Sequence, residues 1–170
     1  AESEEATMLL KVIGDYERIS DHAVNILESA EELRDKKLSL SEEALKEYKT
    51  LAKAIDEILT LSETAFVRAD TQMAANVEPL EQVVDYMKDR FRTNHILRMQ
   101  KKQCSVEVGF VWSDLLTNLE RVSDHCSNIA GCVIDNAEHN LNLHETLKKA
   151  RDDSEQYQMA YEGYMAKYGM

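Results

Sequence analysis

Apolar residues recur at steps of three and four along most of this chain, and polar runs interrupt them at a few places. Met8, Leu9, Val12, Ile13, Tyr16, Ala23, Val24 and Leu27 form the first stripe, which predicts an amphipathic helix over about residues 3–34. The run DKKLSLSEE breaks that stripe. Within it, Ser39 followed by Glu42 has the form of a capping box, and a second helix is expected over about 42–70. A joint at DTQMAANVEP precedes a third helix, about 77–102, with Pro79 in a first turn where its missing amide hydrogen costs nothing.

KKQCS punctuates the pattern again and offers Ser105 as N-cap. Val108, Val111, Trp112, Leu115, Leu119, Val122, Cys126, Ile129 and Val133 then line a fourth helix, about 106–136. Asn142 with Glu145 opens a last segment. Its seam, Leu143, Leu147, Ala150, Ser154, Tyr157, Tyr161, Tyr164 and Tyr168, alternates by fours and threes. The pattern describes an all-α, up-and-down helical bundle of four core helices (residues 1–140) followed by a C-terminal tail helix (141–170). The tail is expected to pack across the outside of the bundle or to pair with a second copy as a homodimer.

Composition narrows this picture. With 44% hydrophobic residues in 170, the chain can bury one sizeable core, and one proline with five glycines favours long helices over turn-rich strands. A net charge of −12 repels phosphodiester backbones and argues against nucleic acid, whereas converging carboxylates attract hard cations. Cys104, Cys126 and Cys132 show no CxxC spacing and are odd in number, which fits a reducing cytoplasm. All three read as structural: Cys126 and Cys132 as small apolar residues of the fourth helix, Cys104 at a helix end beside Lys101 and Lys102. No run approaches the roughly 18 apolar residues of a membrane span. The opening AESEEATMLL enters the helical pattern without an initiator methionine, so a domain excised from something longer is expected.

One motif appears twice. Residues 16–27 (YERISDHAVNIL) and 119–130 (LERVSDHCSNIA) agree at seven of twelve positions, which points to internal duplication. The repeat sets Glu17 and Asp21 one turn apart on the first helix, and Glu120 and Asp124 likewise on the fourth. Two carboxylates so placed repel and destabilise an unassisted helix by a few tenths of a kcal/mol. A basic side chain from another helix or a bound cation would compensate. Packing alone gives no reason to keep Glu, Arg, Asp, His and Asn together. Glu81 and Asp85 repeat the spacing on the third helix, and His22 and His125 read as outward hydrogen-bonding residues.

ERISDHAVNI and LERVSDHCSNI resemble the signature helices of the PhoU family. The stretch DRFRTNHILRMQKKQCSVEVGFVWSDLLTNLERVSDHCSNIA is similar to the PhoU-like C-terminal domains of bacterial sodium/phosphate cotransporter family proteins. The resemblance covers about residues 6–136. It implies a bundle of three-helix repeats, of which the first repeat is here represented by one helix, and a role in controlling phosphate uptake. It also implies metal binding by Glu17, Asp21, Glu120, Asp124 and, more loosely, Glu81 and Asp85, with iron, zinc or manganese as the ion. The resemblance further implies a cytoplasmic, soluble domain of a membrane protein, with a transporter membrane domain or other phosphate-uptake proteins as the partners.

Catalysis finds no residues to carry it. No Glu stands three residues before any of the five histidines, against a ferritin-like di-iron oxidase, and no phosphate loop or nucleophile elbow occurs. The alternative to a metal-binding regulatory domain is a helical adaptor or oligomerisation module whose carboxylate stripes are ordinary salt-bridged surface.

Overall fold

A computed structural model describes the backbone of residues 2–138 and 143–170, and the side chains of residues 3, 5–137 and 154–170. The helices are α1 (Glu2–Asp35), α2 (Glu42–Arg68), α3 (Thr71–Ala75), α4 (Val77–Gln100), α5 (Val106–Glu138) and α6 (Leu143–Tyr168). No helix among the described residues is long and apolar enough to cross a membrane.

Local chemistry sets the joints. Ser41, rather than Ser39, caps α2: its hydroxyl accepts from the Ala44 amide at 3.2 Å, and Glu42 and Glu43 sit in the first turn where the helix dipole favours acids. Ala69 adopts a left-handed conformation (φ 50°) and ends α2. Asp70 then accepts from the amides of Gln72 and Met73, both at 3.0 Å, and starts the single turn α3 inside the expected joint. Ser105 caps α5 through the Val108 amide at 3.2 Å, as its sequence position indicates.

The core lies between α2, α4 and α5. Leu51, Ile58, Leu80, Met87, Trp112 and Leu116 are its large, fully buried members. The Trp112 indole donates to the Phe91 carbonyl at 3.4 Å, which satisfies the one polar group this ring brings inside. α1 packs against α5. It buries Val12 and rests Ile19, Ile26 and Leu33 against the core, while Leu10, Ile13, Val24 and Leu27 remain more than half exposed.

The tail helix docks along α4. Tyr161, Tyr164, Met165, Tyr168 and Met170 pack on the core, and Lys167 and Tyr168 both bond to Glu57 of α2. The seam positions Leu143, Leu147 and Ala150, and the Asn142 and Glu145 start, lie outside the residues whose side chains are described.

Candidate metal centre

α4 and α5 bring three carboxylates together. Glu81 projects from the second turn of α4, and Glu120 and Asp124 stand one turn apart on α5. One oxygen of each lies within 4.8 Å of the others. Glu81 and Glu120 are both only 8% exposed, although neither is apolar. Burying an anion this far demands a compensating charge, a proton or a shift in pKa.

The compensation present is partial. Lys88, a helical turn beyond Asp85 on α4, sits 2.6 Å from Asp85 and 3.6 Å from Glu120. Arg121 reaches Asp124 at 3.2 Å from the solvent side, and Gln82 donates to Glu81 at 2.8 Å. Desolvation, then the charge of Glu78 and the contact with Asp124, push the Glu81 carboxyl up to about 7. Desolvation and Asp124 also raise Glu120 against the pull of Lys88. The centre therefore retains a proton near neutrality, and a cation can replace that proton. A cleft of about 320 Å³, lined by Glu81, Arg121, Asp124, His125, Ser127 and Asn128, leads to it.

The donor set is all oxygen, which suits manganese, magnesium or calcium better than the nitrogen and sulfur preferences of zinc. Oxygens within 4.8 Å of one another can all reach a single ion at about 2.0–2.4 Å. Asp85 stays at the margin, held by Lys88. Glu17 and Asp21 stand exposed on α1, apart from this cluster. They are the counterparts of Glu120 and Asp124 in the repeat. On α5 that face is covered by α2 and α4, whereas on α1 the same face, with Ile13, Val24 and Leu27, is open.

The histidines and asparagines of the motif have a different task. Asp15 accepts from His125 Nδ1 at 2.8 Å and from Asn128 at 3.1 Å. Asn118 accepts from His22 Nδ1 at 2.9 Å and from Asn25 at 3.0 Å. The pairs are reciprocal, because Asp15 and Asn118 each precede the repeated window by one residue. His22 and His125 thus lie half-buried in the α1–α5 interface instead of pointing outward, and packing does use this part of the motif. Sequence reasoning missed Asp15 and Asn118, which differ in type, and Lys88; the constant offset of the repeat was the clue to the first two.

Such an arrangement defines a helical-bundle protein built on a duplicated helix, with a buried acidic centre on one copy. The PhoU domain family matches residues 1–30 and 48–133. The chain belongs to that family. It is 31% identical over 147 residues to the "Phosphate-specific transport system accessory protein PhoU homolog 1" of Thermotoga maritima, covering 86% of this chain and 62% of that protein. A homologue from Deinococcus radiodurans, named for the same accessory role, is 25% identical over 126 residues, 72% of this chain and 56% of its own length. The chain thus spans less than two thirds of either relative. No solved structure matches it.

Proposed function

We propose that the chain is the regulatory domain of a phosphate uptake system, of the sodium/phosphate cotransporter type, and that it holds a divalent cation between α4 and α5. Family membership and the accessory role named for the relatives support the first part. The convergence of Glu81, Glu120 and Asp124 at a partly compensated, buried position carries the second. The domain is non-catalytic on this reading and sits on the cytoplasmic side, where the transporter's membrane domain or other uptake proteins contact it. Of the ions expected from the motif, manganese fits the three carboxylates better than zinc, and iron(II) is intermediate.

Calorimetric titration with Mn(II) and elemental analysis test the metal part. One ion per chain is expected, lost in Glu120→Gln and in Asp124→Asn and kept in Asp21→Asn. Equal metal content in all four proteins would end this reading. The second reading, a metal-free helical adaptor, draws on Lys88 and on the proton that Glu81 retains, which together can neutralise the centre without an ion. Phosphate uptake measured in cells carrying the full-length protein with Asp124→Asn separates the two, since only a regulatory metal centre predicts a change.

A further inference from the structure

A second group of ligand-type atoms lies at the other end of α4, remote in sequence from the three carboxylates. His95 and Met99 stand one turn apart and share a helix face. Cys104 follows in the loop before α5, half-buried, with its Sγ 3.7 Å from His95 Nε2. Gly109 faces them from the first turns of α5. A Cβ there would stand 2.8 Å from Met99 Sδ and 3.2 Å from His95 Nε2, so the absent side chain lets thioether and imidazole both close on the α5 backbone.

His95 is poorly satisfied for so buried a ring. It is 3% exposed, and its Nδ1 meets no hydrogen-bond partner. Its Nε2 faces the thiol, a weak partner. A cation held between Sγ and Nε2 would replace that weak contact with a metal bond and leave the ring proton on Nδ1. Burial first, and then the charge of Arg98, lower the pKa of this ring. Glu47, the nearby carboxylate, is already engaged by Arg98 and Asn94.

We propose that His95, Met99 and Cys104 form a site for a soft monovalent cation, Cu(I). Thiolate, thioether and imidazole are the donors that select Cu(I) over hard ions. A metal about 2.3 Å from sulfur and about 2.0 Å from nitrogen, at an angle of roughly 110–120°, holds the two about 3.5–3.8 Å apart. The His95–Cys104 separation of 3.7 Å already has that value. Binding replaces the S–H bond with a Cu–S bond, and the proton passes to solvent. Copper stays Cu(I), and no electron is exchanged.

The test is an anaerobic titration of the whole chain with Cu(I) in competition with a coloured Cu(I) chelator. The chain is expected to withdraw one equivalent. That endpoint should be lost in Cys104→Ser and weakened in Met99→Leu, which preserves volume, while Cys132→Ser and Glu120→Gln retain it. Gly109→Ala should fold, as judged by circular dichroism, and bind more weakly because its methyl group would push the thioether and imidazole from their present positions. Failure of the wild-type chain to compete would overturn the proposal. Wild-type binding in both Cys104→Ser and Met99→Leu, or loss of binding in Cys132→Ser, would do the same.

Discussion

His22 and His125 stack across the α1–α5 interface with ring centroids 5.6 Å apart, and each bonds through Nδ1 to an oxygen on the opposite helix. The two rings are equivalent residues of the sequence repeat, so the helices meet about a local pseudo-twofold relation. This contact fixes the register of α1, which has few buried apolar residues of its own to do so.

Asp15→Ala should therefore be costly, because it leaves His125 Nδ1 and Asn128 Nδ2 without their acceptor. A loss of about 1–3 kcal/mol is expected in urea unfolding. Asp15→Asn copies the Asn118 arrangement and should lose less than about 1 kcal/mol. Equal losses would show that the carboxylate charge, not the acceptor, holds the contact.

The helices were legible because periodicity is a local property: α1, α2, α4 and α5 fall within about two residues of their expected ends. α3 escaped because five residues are too few to display a period. Which stripe a helix buries is a different matter. Leu9, Ile13, Tyr16, Val24 and Leu27 belong to the stripe read from α1, yet they are exposed, since α1 rests on one helix and turns Val12, Ile19 and Ile26 toward it. The acidic centre was visible in part. The repeat singled out Glu120 and Asp124 and the shared spacing added Glu81, but spacing cannot say that Lys88 would reach Glu120 or that Glu17 and Asp21 would remain in solvent.

Glu81 should make stability depend on pH. Its folded pKa of about 7 stands above the ordinary value of 4.5, so the folded state holds a proton that the unfolded state releases. The associated stabilisation is complete below about pH 4.5 and is lost as pH rises through about 7. Glu81→Gln removes this slope and should be more stable than wild type at about pH 8, by on the order of 1 kcal/mol. Added Mn(II) should raise the wild-type midpoint more at about pH 8 than at about pH 5.5, because the ion competes with the proton. Urea midpoints across that range measure both effects.

Arg98 and Glu47 form a pair at 2.8 Å whose side chains are 10% and 13% exposed, and Glu47 also accepts from Asn94. Removing one partner strands the other. Glu47→Ala is expected to cost about 3–5 kcal/mol. Glu47→Gln, which keeps an acceptor, should cost clearly less. Equal losses in thermal unfolding would show that the carboxylate charge, not the acceptor geometry, holds the pair.

The tail should be a structural part of the bundle although it lies beyond the family match, which ends at residue 133. Tyr161, Tyr164 and Tyr168 lay their rings on the core, and the Tyr168 hydroxyl is held by the Glu57 carboxylate. Burial and then that carboxylate raise the Tyr168 phenol well above its usual range, so it stays a neutral donor at any physiological pH. Lys167 anchors to the same Glu57 at 2.7 Å, but from an exposed position where the pair adds little. Tyr168→Phe should therefore lose about 0.5–1.5 kcal/mol, the worth of one hydrogen bond. Truncation after Asn140 removes the tail's tyrosine rings and uncovers the face of α4 beneath them. It should lower Tm by roughly 5–10 °C, as a loss of about 2–3 kcal/mol does at this chain length, and increase the binding of a hydrophobic dye. An unchanged Tm would remove docking. A solution mass that halves on truncation, beyond the mass of the tail itself, would instead assign the tyrosine seam to a homodimer.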